Sequence, residues 1–280
     1  MRQDAVNNTE NGSSEDELME TLHILHAGVV KRQVKETIDR FVAANPQIEV
    51  NACSAGSVDC ARRALAGEPC DPLILADHRL IELLLCPQLC DSYRIFAGNR
   101  MILQATHADS PLNDDNWLQI LNDNATKLGH FDPQADPGGY RAVFCLQLAE
   151  YLQPGLGRRL LESPNRRIVD HDHVSDVDYL IYYYTAALQD EKPFVKLPEI
   201  MDLSCDELAH IYASVKVELS DGRTVQGTPI CHALTIPKSA AKKELALDFV
   251  DEFLRCDFKA AGFIPRAGLV YCSEKVNADK

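Results

Sequence analysis

At 280 residues, with 46% hydrophobic and 25% charged side chains, the chain has the composition of an ordinary globular protein, long enough for one large domain or two modest lobes. Its formal net charge of −14 argues against nucleic acid or an anionic membrane surface as a partner. No apolar run approaches the ~20 residues that a membrane helix needs. Residues 1–20 are polar, acidic and rich in Asn and Ser, which predicts a disordered tether. They lack the apolar stretch of a signal peptide, so the chain reads either as cytoplasmic or as exported with an upstream segment missing.

From Leu22 the pattern alternates between strand and helix. Leu22–His26 is a short apolar strand, and Val30, Val34, Ile38, Phe41 and Val42 then form one helical stripe that Asn45-Pro46 ends. Ile48 and Val50 alternate as a second strand; residues 58–67 form a helix closed by Gly67, and residues 71–77 a third strand. Such βα alternation predicts a parallel sheet with helices on its faces and a ligand beyond the C-terminal strand ends. A helix over 78–85, a long β-rich stretch over 92–109 and a helix near Trp117 follow. Residues 141–153 predict an amphipathic helix with Ala142, Cys145, Leu146, Ala149 and Leu152 inward. Residues 177–189 predict a buried strand entering a helix, Asp221-Gly222 a hairpin turn, 233–237 a short strand and 240–256 a final helix.

The ten cysteines include no CxxC pair, which removes zinc-ribbon and thioredoxin readings. Most read as small buried hydrophobes, and the pair Cys86 and Cys90 has no second pair near it. His171 and His173 alternate with Asp170 and Asp172; on a strand the two types point to opposite faces, so no free-cation metal site is expected there.

Three turns follow a predicted strand and open a predicted helix: HAGVV (26–30), SAGSV (54–58) and DPGGY (136–140). Glycine at a helix start leaves main-chain N–H groups open to an anion, and the helix dipole favours negative charge there. Asp136-Pro137 suits a helix start, with the carboxylate as N-cap and the ring in the first turn. Asp136 therefore either caps its helix or stands beside a bound anion.

HAG, AGSV, DNW, DPGGYRA and GTPICHALTIPKSAAKKELALDFV, in that order, resemble the substrate-binding proteins of molybdate and tungstate ABC importers, in their archaeal-type branch, over residues 20–265. The resemblance implies an α/β, two-lobed type II periplasmic-binding-protein fold hinged between lobes, without a cofactor or catalysis. It implies a tetrahedral oxyanion (molybdate, tungstate or sulfate) held by Gly28, Val29, Ser57, Asp136, Pro137, Gly138 and Tyr183, the last within DYLIYYYTAA. Sulfate has a saturated centre that a carboxylate only repels, whereas molybdenum and tungsten can expand their coordination and accept a carboxylate oxygen. In that branch a second carboxylate completes an octahedron; here Asp170 and Asp172 are the candidates, then Asp176. Val29 replaces the family's serine in the first turn.

The expected lobes are residues 21–104 with 186–280, and 105–185. The expected protein is a monomeric carrier serving an ABC permease, outside the cytoplasm and anchored through a missing N-terminal segment. The alternative is an intracellular oxyanion sensor or storage protein of the same fold. No GxSxG, P-loop, HExxH or GxGxxG supports an enzyme.

Overall fold

The structure is a computed structural model and describes residues 19–272. The tether expected over 1–20 lies outside the described residues, except for Met19 and Glu20. The described residues open with β1 (Glu20–Ala27), a tight 3-10 turn over Gly28–Val30, α1 (Lys31–Ala44), β2 (Ile48–Ala55), α2 (Ser57–Leu65), β3 (Leu73–Leu75), α3 (His78–Leu80) and β4 (Ser92–Gly98). After a two-residue crossover come β5 (Met101–Ala105), α4 (Trp117–Asn122), β6 (Leu128–His130), α5 (Pro137–Leu148), α6 (Leu156–Glu162), β7 (Arg166–Ile168), β8 (Tyr179–Tyr183), α7 (Tyr184–Ala187) and β9 (Phe194–Lys196). Short helices α8 (Glu199–Asp202) and α9 (Ala209–Tyr212) and the hairpin β10 (Lys216–Glu218) and β11 (Thr224–Gln226) lead to β12 (Cys231–Thr235), α10 (Lys243–Phe253) and β13 (Ile264–Tyr271).

Two sheets organise these elements. The first has the order β13-β4-β12-β3-β1-β2, the second β7-β6-β8-β5-β9. Only the β2-β1-β3 part of the first sheet is parallel; β12 and β13 pair antiparallel with their neighbours, so the expected parallel sheet is in fact mixed. Leu73, Ile74 and Leu75 are fully buried, which explains the unbroken apolar run of this inner strand. Each such side chain contributes about 1.5–3 kcal/mol by leaving water. The α1 stripe buries Val34 and Phe41, and Phe41 packs edge-on against Phe249 of α10, ring centres 5.4 Å apart.

The β-rich stretch expected over 92–109 is two strands in different sheets, with Asn99-Arg100 as the crossover. The second sheet thus begins at Met101 rather than at 105, and it also takes in Phe194–Lys196, which the sequence reading placed with the first lobe. Apolar periodicity runs through the crossover almost unbroken, so the sequence carries no boundary signal there. Cys86 and Cys272 form a disulfide.

Candidate functional site

β1 and β2 run parallel with Ala27 opposite Ala55, so the turns that follow them emerge side by side. Gly28 and Val29 from one, and Ser54, Ala55 and Gly56 from the other, line a cleft of about 770 Å³. Asp136, His171 and Tyr182 from the second-sheet side complete its wall, with Ala186 and Gln189 beyond. Neither the 3-10 turn before α1 nor the start of α2 has a side-chain cap. Their first amides therefore lack the local oxygen that most helix starts carry.

The α5 start is built differently. Asp136 is its N-cap, and Oδ1 accepts from the Gly138 N–H at 2.6 Å. The glycine amides expected to stand open to a ligand are thus already engaged: Gly138 by the carboxylate, and Gly139 by the Asp136 carbonyl at 2.9 Å. Both glycines are needed for packing. A Cβ at Gly138 would overlap the Tyr182 ring, and one at Gly139 would lie 2.5 Å from the Phe131 carbonyl oxygen. Asp136 remains on the cleft wall, and among the described residues no protein donor meets its Oδ2. Burial raises its pKa above the ordinary carboxylate value, against the lowering effects of the Gly138 N–H, Arg141 and His171.

Gly28, Val29 and Asp136 line the cleft, whereas Pro137 and Gly138 lie buried beside Asp136. Ser57 is buried next to the lining, its Oγ accepting from the Ala76 N–H at 2.9 Å. Tyr183 is also buried and turned away, its hydroxyl accepting from Arg141 Nη1 at 2.7 Å. Strand alternation puts Tyr182 on the cleft side instead. Asp170, Asp172 and Asp176 are exposed and off the lining; Asp170 Oδ1 pairs with His173 Nδ1 at 2.6 Å. The residue of that segment that reaches the cleft is His171, whose ring lies 4.8 Å from that of Phe131.

The rim also carries a cationic cluster that sequence reasoning missed: Lys31, Arg32 and Lys35 on the first turns of α1. Arg32 and Lys35 pair with Glu36 and Asp39, while Lys31 has no carboxylate in ion-pair range among the described residues. Lys31 and Arg32 stand in the first turn of α1, where a cation opposes the helix dipole. That arrangement costs stability and favours an incoming anion. The signal was visible in the KRQVK that follows AGVV.

Beside the cleft the two sheets are joined. The Val58 N–H of α2 donates to the Ala135 carbonyl at 3.3 Å, and Arg62 Nη1 to the Gln134 carbonyl at 3.4 Å. Deeper, Arg141 reaches from α5 to the end of β3, 3.0 Å from Asp77 Oδ2 and donating to the Ala76 carbonyl at 2.8 Å. Tyr140 donates to the same Asp77 oxygen at 2.6 Å. Burial works against the Asp77 charge, but Arg141 and its other partners hold the pKa below the usual carboxylate value. His232 Nδ1 sits 2.9 Å from the Ala76 carbonyl, and its Nε2 lies 3.2 Å from Asn99 Nδ2 at the crossover. Burial and Arg141 push its pKa down to about 3, so the ring is neutral, with Nδ1–H donating and Nε2 accepting.

Residues 22–257 match the family of bacterial extracellular solute-binding proteins. The chain belongs to that family. Such proteins bind rather than catalyse, as a site of main-chain amides, one carboxylate and a cationic rim is built to do. A solute-binding protein of Methanoculleus marisnigri is 31% identical over 271 residues, covering 82% of this chain and 76% of that one. The molybdate/tungstate-binding protein WtpA of Pyrococcus abyssi is 27% identical over 270 residues, covering 82% and 78%. The periplasmic molybdate-binding protein of Azotobacter vinelandii superposes with a TM-score of 0.65 at 16% identity, covering 88% of this chain and 99% of that one. The two-sheet α/β architecture is that of the type II periplasmic-binding-protein fold. Among the described residues of this solute-binding protein, no helix is long and apolar enough to cross a membrane.

Proposed function

We propose that this solute-binding protein captures a tetrahedral metal oxyanion, molybdate or tungstate, in the cleft between its two sheets and delivers it to an ABC importer. The observation that carries the reading is Asp136: a half-buried carboxylate with one oxygen fixed by Gly138 and the other unoccupied by protein, facing two uncapped helix starts. A fully deprotonated anion with a saturated centre, such as sulfate, meets only repulsion from that carboxylate. A molybdenum or tungsten centre accepts Oδ2 as a ligand while the amides after β1 and β2 hold its oxo groups. The similarity to WtpA supports this choice of anion. Among the described residues only one carboxylate lines the cleft, so the reading uses Asp136 alone, with His171 as a donor on the adjoining wall. The cationic rim of α1 draws a dianion in despite the net charge of −14, because charges beyond about 8–10 Å are screened.

Capture works by hinge closure about the 99–100 crossover and the return segment after β9. The Val58–Ala135 hydrogen bond forms as the lobes meet, and the carrier acts as a monomer outside the cytoplasm, presenting the closed form to its permease. Calorimetric titration with molybdate, tungstate and sulfate, on wild type and Asp136→Asn, tests the reading. Binding of the metal oxyanions by wild type, weakened at least about tenfold in the variant, is expected; that ratio corresponds to ~1.4 kcal/mol. Equal binding by the variant removes the inner-sphere role, and tighter sulfate binding by the variant makes Asp136 a gate against sulfate instead.

A further inference from the structure

Away from the cleft, three cysteines meet where β13 ends on the first sheet. The Sγ atoms of Cys86, Cys90 and Cys272 all lie within 4.8 Å of one another. Cys86 and Cys272 are joined as a disulfide, and the free Cys90 Sγ stands 3.7 Å from one and 4.0 Å from the other. Cys90 and Cys272 are buried, while Cys86 is partly open to solvent and gives the cluster an entry side.

These distances have a chemical meaning. Metal–thiolate bonds are about 2.3 Å long, so three thiolates in a plane around one ion stand about 4 Å apart. Cys90 already sits at that spacing from both partners. The cluster is also held by the backbone, independently of the S–S bond. The Cys86 N–H donates to the Ile81 carbonyl at 2.9 Å, Leu89 N–H to Leu85 at 2.7 Å and Cys272 N–H to Asp91 at 2.8 Å. Tyr271, next to Cys272, is in register with Ser92 of β4. Opening the disulfide therefore leaves three sulfurs facing a common point.

From this arrangement we propose that the reduced chain binds a thiophilic monovalent cation, Cu(I) in chemical class, through Cys86, Cys90 and Cys272, and that the Cys86–Cys272 disulfide closes this site. The donor set chooses the ion. Structural zinc takes four ligands, and no histidine or carboxylate joins the three sulfurs among the described residues. An all-sulfur site of low coordination number suits a soft cation instead. Reduction by a dithiol supplies two electrons and two protons, giving the Cys86 and Cys272 thiols while the dithiol becomes a disulfide; metal binding then displaces the thiol protons. The site does not depend on what the cleft carries.

The test compares the full chain, reduced with a dithiol and desalted under nitrogen, with the air-oxidised chain and with Cys90→Ser. Each is titrated with Cu(I) against a chromophoric Cu(I) chelator, with far-UV circular dichroism recorded alongside. Loss of a supporting partner alone weakens metal sites ~10–100-fold, so losing one of three ligands should cost at least about tenfold. Expected is one tight equivalent on the reduced wild type, weakened by at least that factor in reduced Cys90→Ser and absent from the oxidised chain. Equal retention by Cys90→Ser or by the oxidised chain overturns the proposal, as does tighter binding of Zn(II) than of Cu(I). A reduced chain that loses its circular dichroism signal and does not regain it with Cu(I) overturns it too.

Discussion

The helix starts at Gly56 and at Gly138-Gly139 look alike in sequence, yet the structure uses them in opposite ways. At α5 the glycine amides are taken by Asp136 from within the same turn, and both glycines are wedged against Tyr182 and the 131–132 backbone. At α2 no side chain caps the helix; the Val58 amide is met by Ala135, a carbonyl from the other sheet's side. A Cβ at Gly56 would overlap that same carbonyl, whereas at Gly28 the nearest atom would be Ser54 Oγ at 3.9 Å. A glycine at a helix start is thus a packing device in one place, a joint between lobes in another and open cleft lining in a third. What separates them is who uses the amide.

The largest expected effect is on the anchor of α5. Arg141→Leu leaves Asp77 buried without its cation, and breaking such a pair costs about 3–5 kcal/mol. Denaturant unfolding measures this; a loss below about 1 kcal/mol would mean that water or a neighbour takes over the pairing. Next comes Gly139→Ala, where the methyl meets backbone that cannot swing aside; an overpacking loss of about 1–3 kcal/mol is expected. Gly28→Ala should stay within about 0.5 kcal/mol of wild type in the same assay.

Asp136 divides its two roles between two variants. Asp136→Asn keeps a capping oxygen and near-native stability, while Asp136→Ala loses about 1 kcal/mol of helix capping. Both should lose metal-oxyanion affinity, and retention by Asn alone would make Asp136 a cap and nothing more. Acid adds a further test. The folded His232 pKa lies near 3 and the unfolded value near 6.5, so the unfolded chain takes up the proton first as pH falls through that window. Melting temperature should fall from pH 6.5 toward 3, less steeply in His232→Asn; His26 and His130, also lowered by burial, add to the wild-type slope. Gly56→Ala meets the Ala135 carbonyl, backbone that must shift, so a loss like that of Gly139→Ala, about 1–3 kcal/mol, is expected. Its signature is a larger radius of gyration in small-angle scattering and weaker oxyanion binding; unchanged scattering would show that the Val58–Ala135 contact is not a moving joint.

Much of this was readable in the residues. The Val34–Phe41 stripe and the 177–189 strand-to-helix run follow from periodicity, because burying an apolar face needs the same spacing in any fold; the helix expected to be amphipathic over 141–153 instead ends at Leu148 and buries Arg141, Phe144 and Leu148 besides its expected face. DPGG marked a helix start for a local reason: cap, proline and glycines act within one turn. β13 went unread, since GFIPRAGLVY alternates only weakly, and the crossover at 99–100 was hidden within a continuous β pattern.

The sequence by itself determined the longer helices α1, α2, α5 and α10, the Asp136 cap and the glycine corners, all set by interactions a few residues long. Only the tertiary structure decided which corners line the cleft, that Tyr182 rather than Tyr183 faces it, that His171 stands where a second carboxylate was sought, and that Cys86 reaches Cys272 across 186 residues. Each of these depends on strand register and on two sheets meeting. Such long-range pairing leaves no local periodicity, because the partner's position is set by the packing of the whole chain.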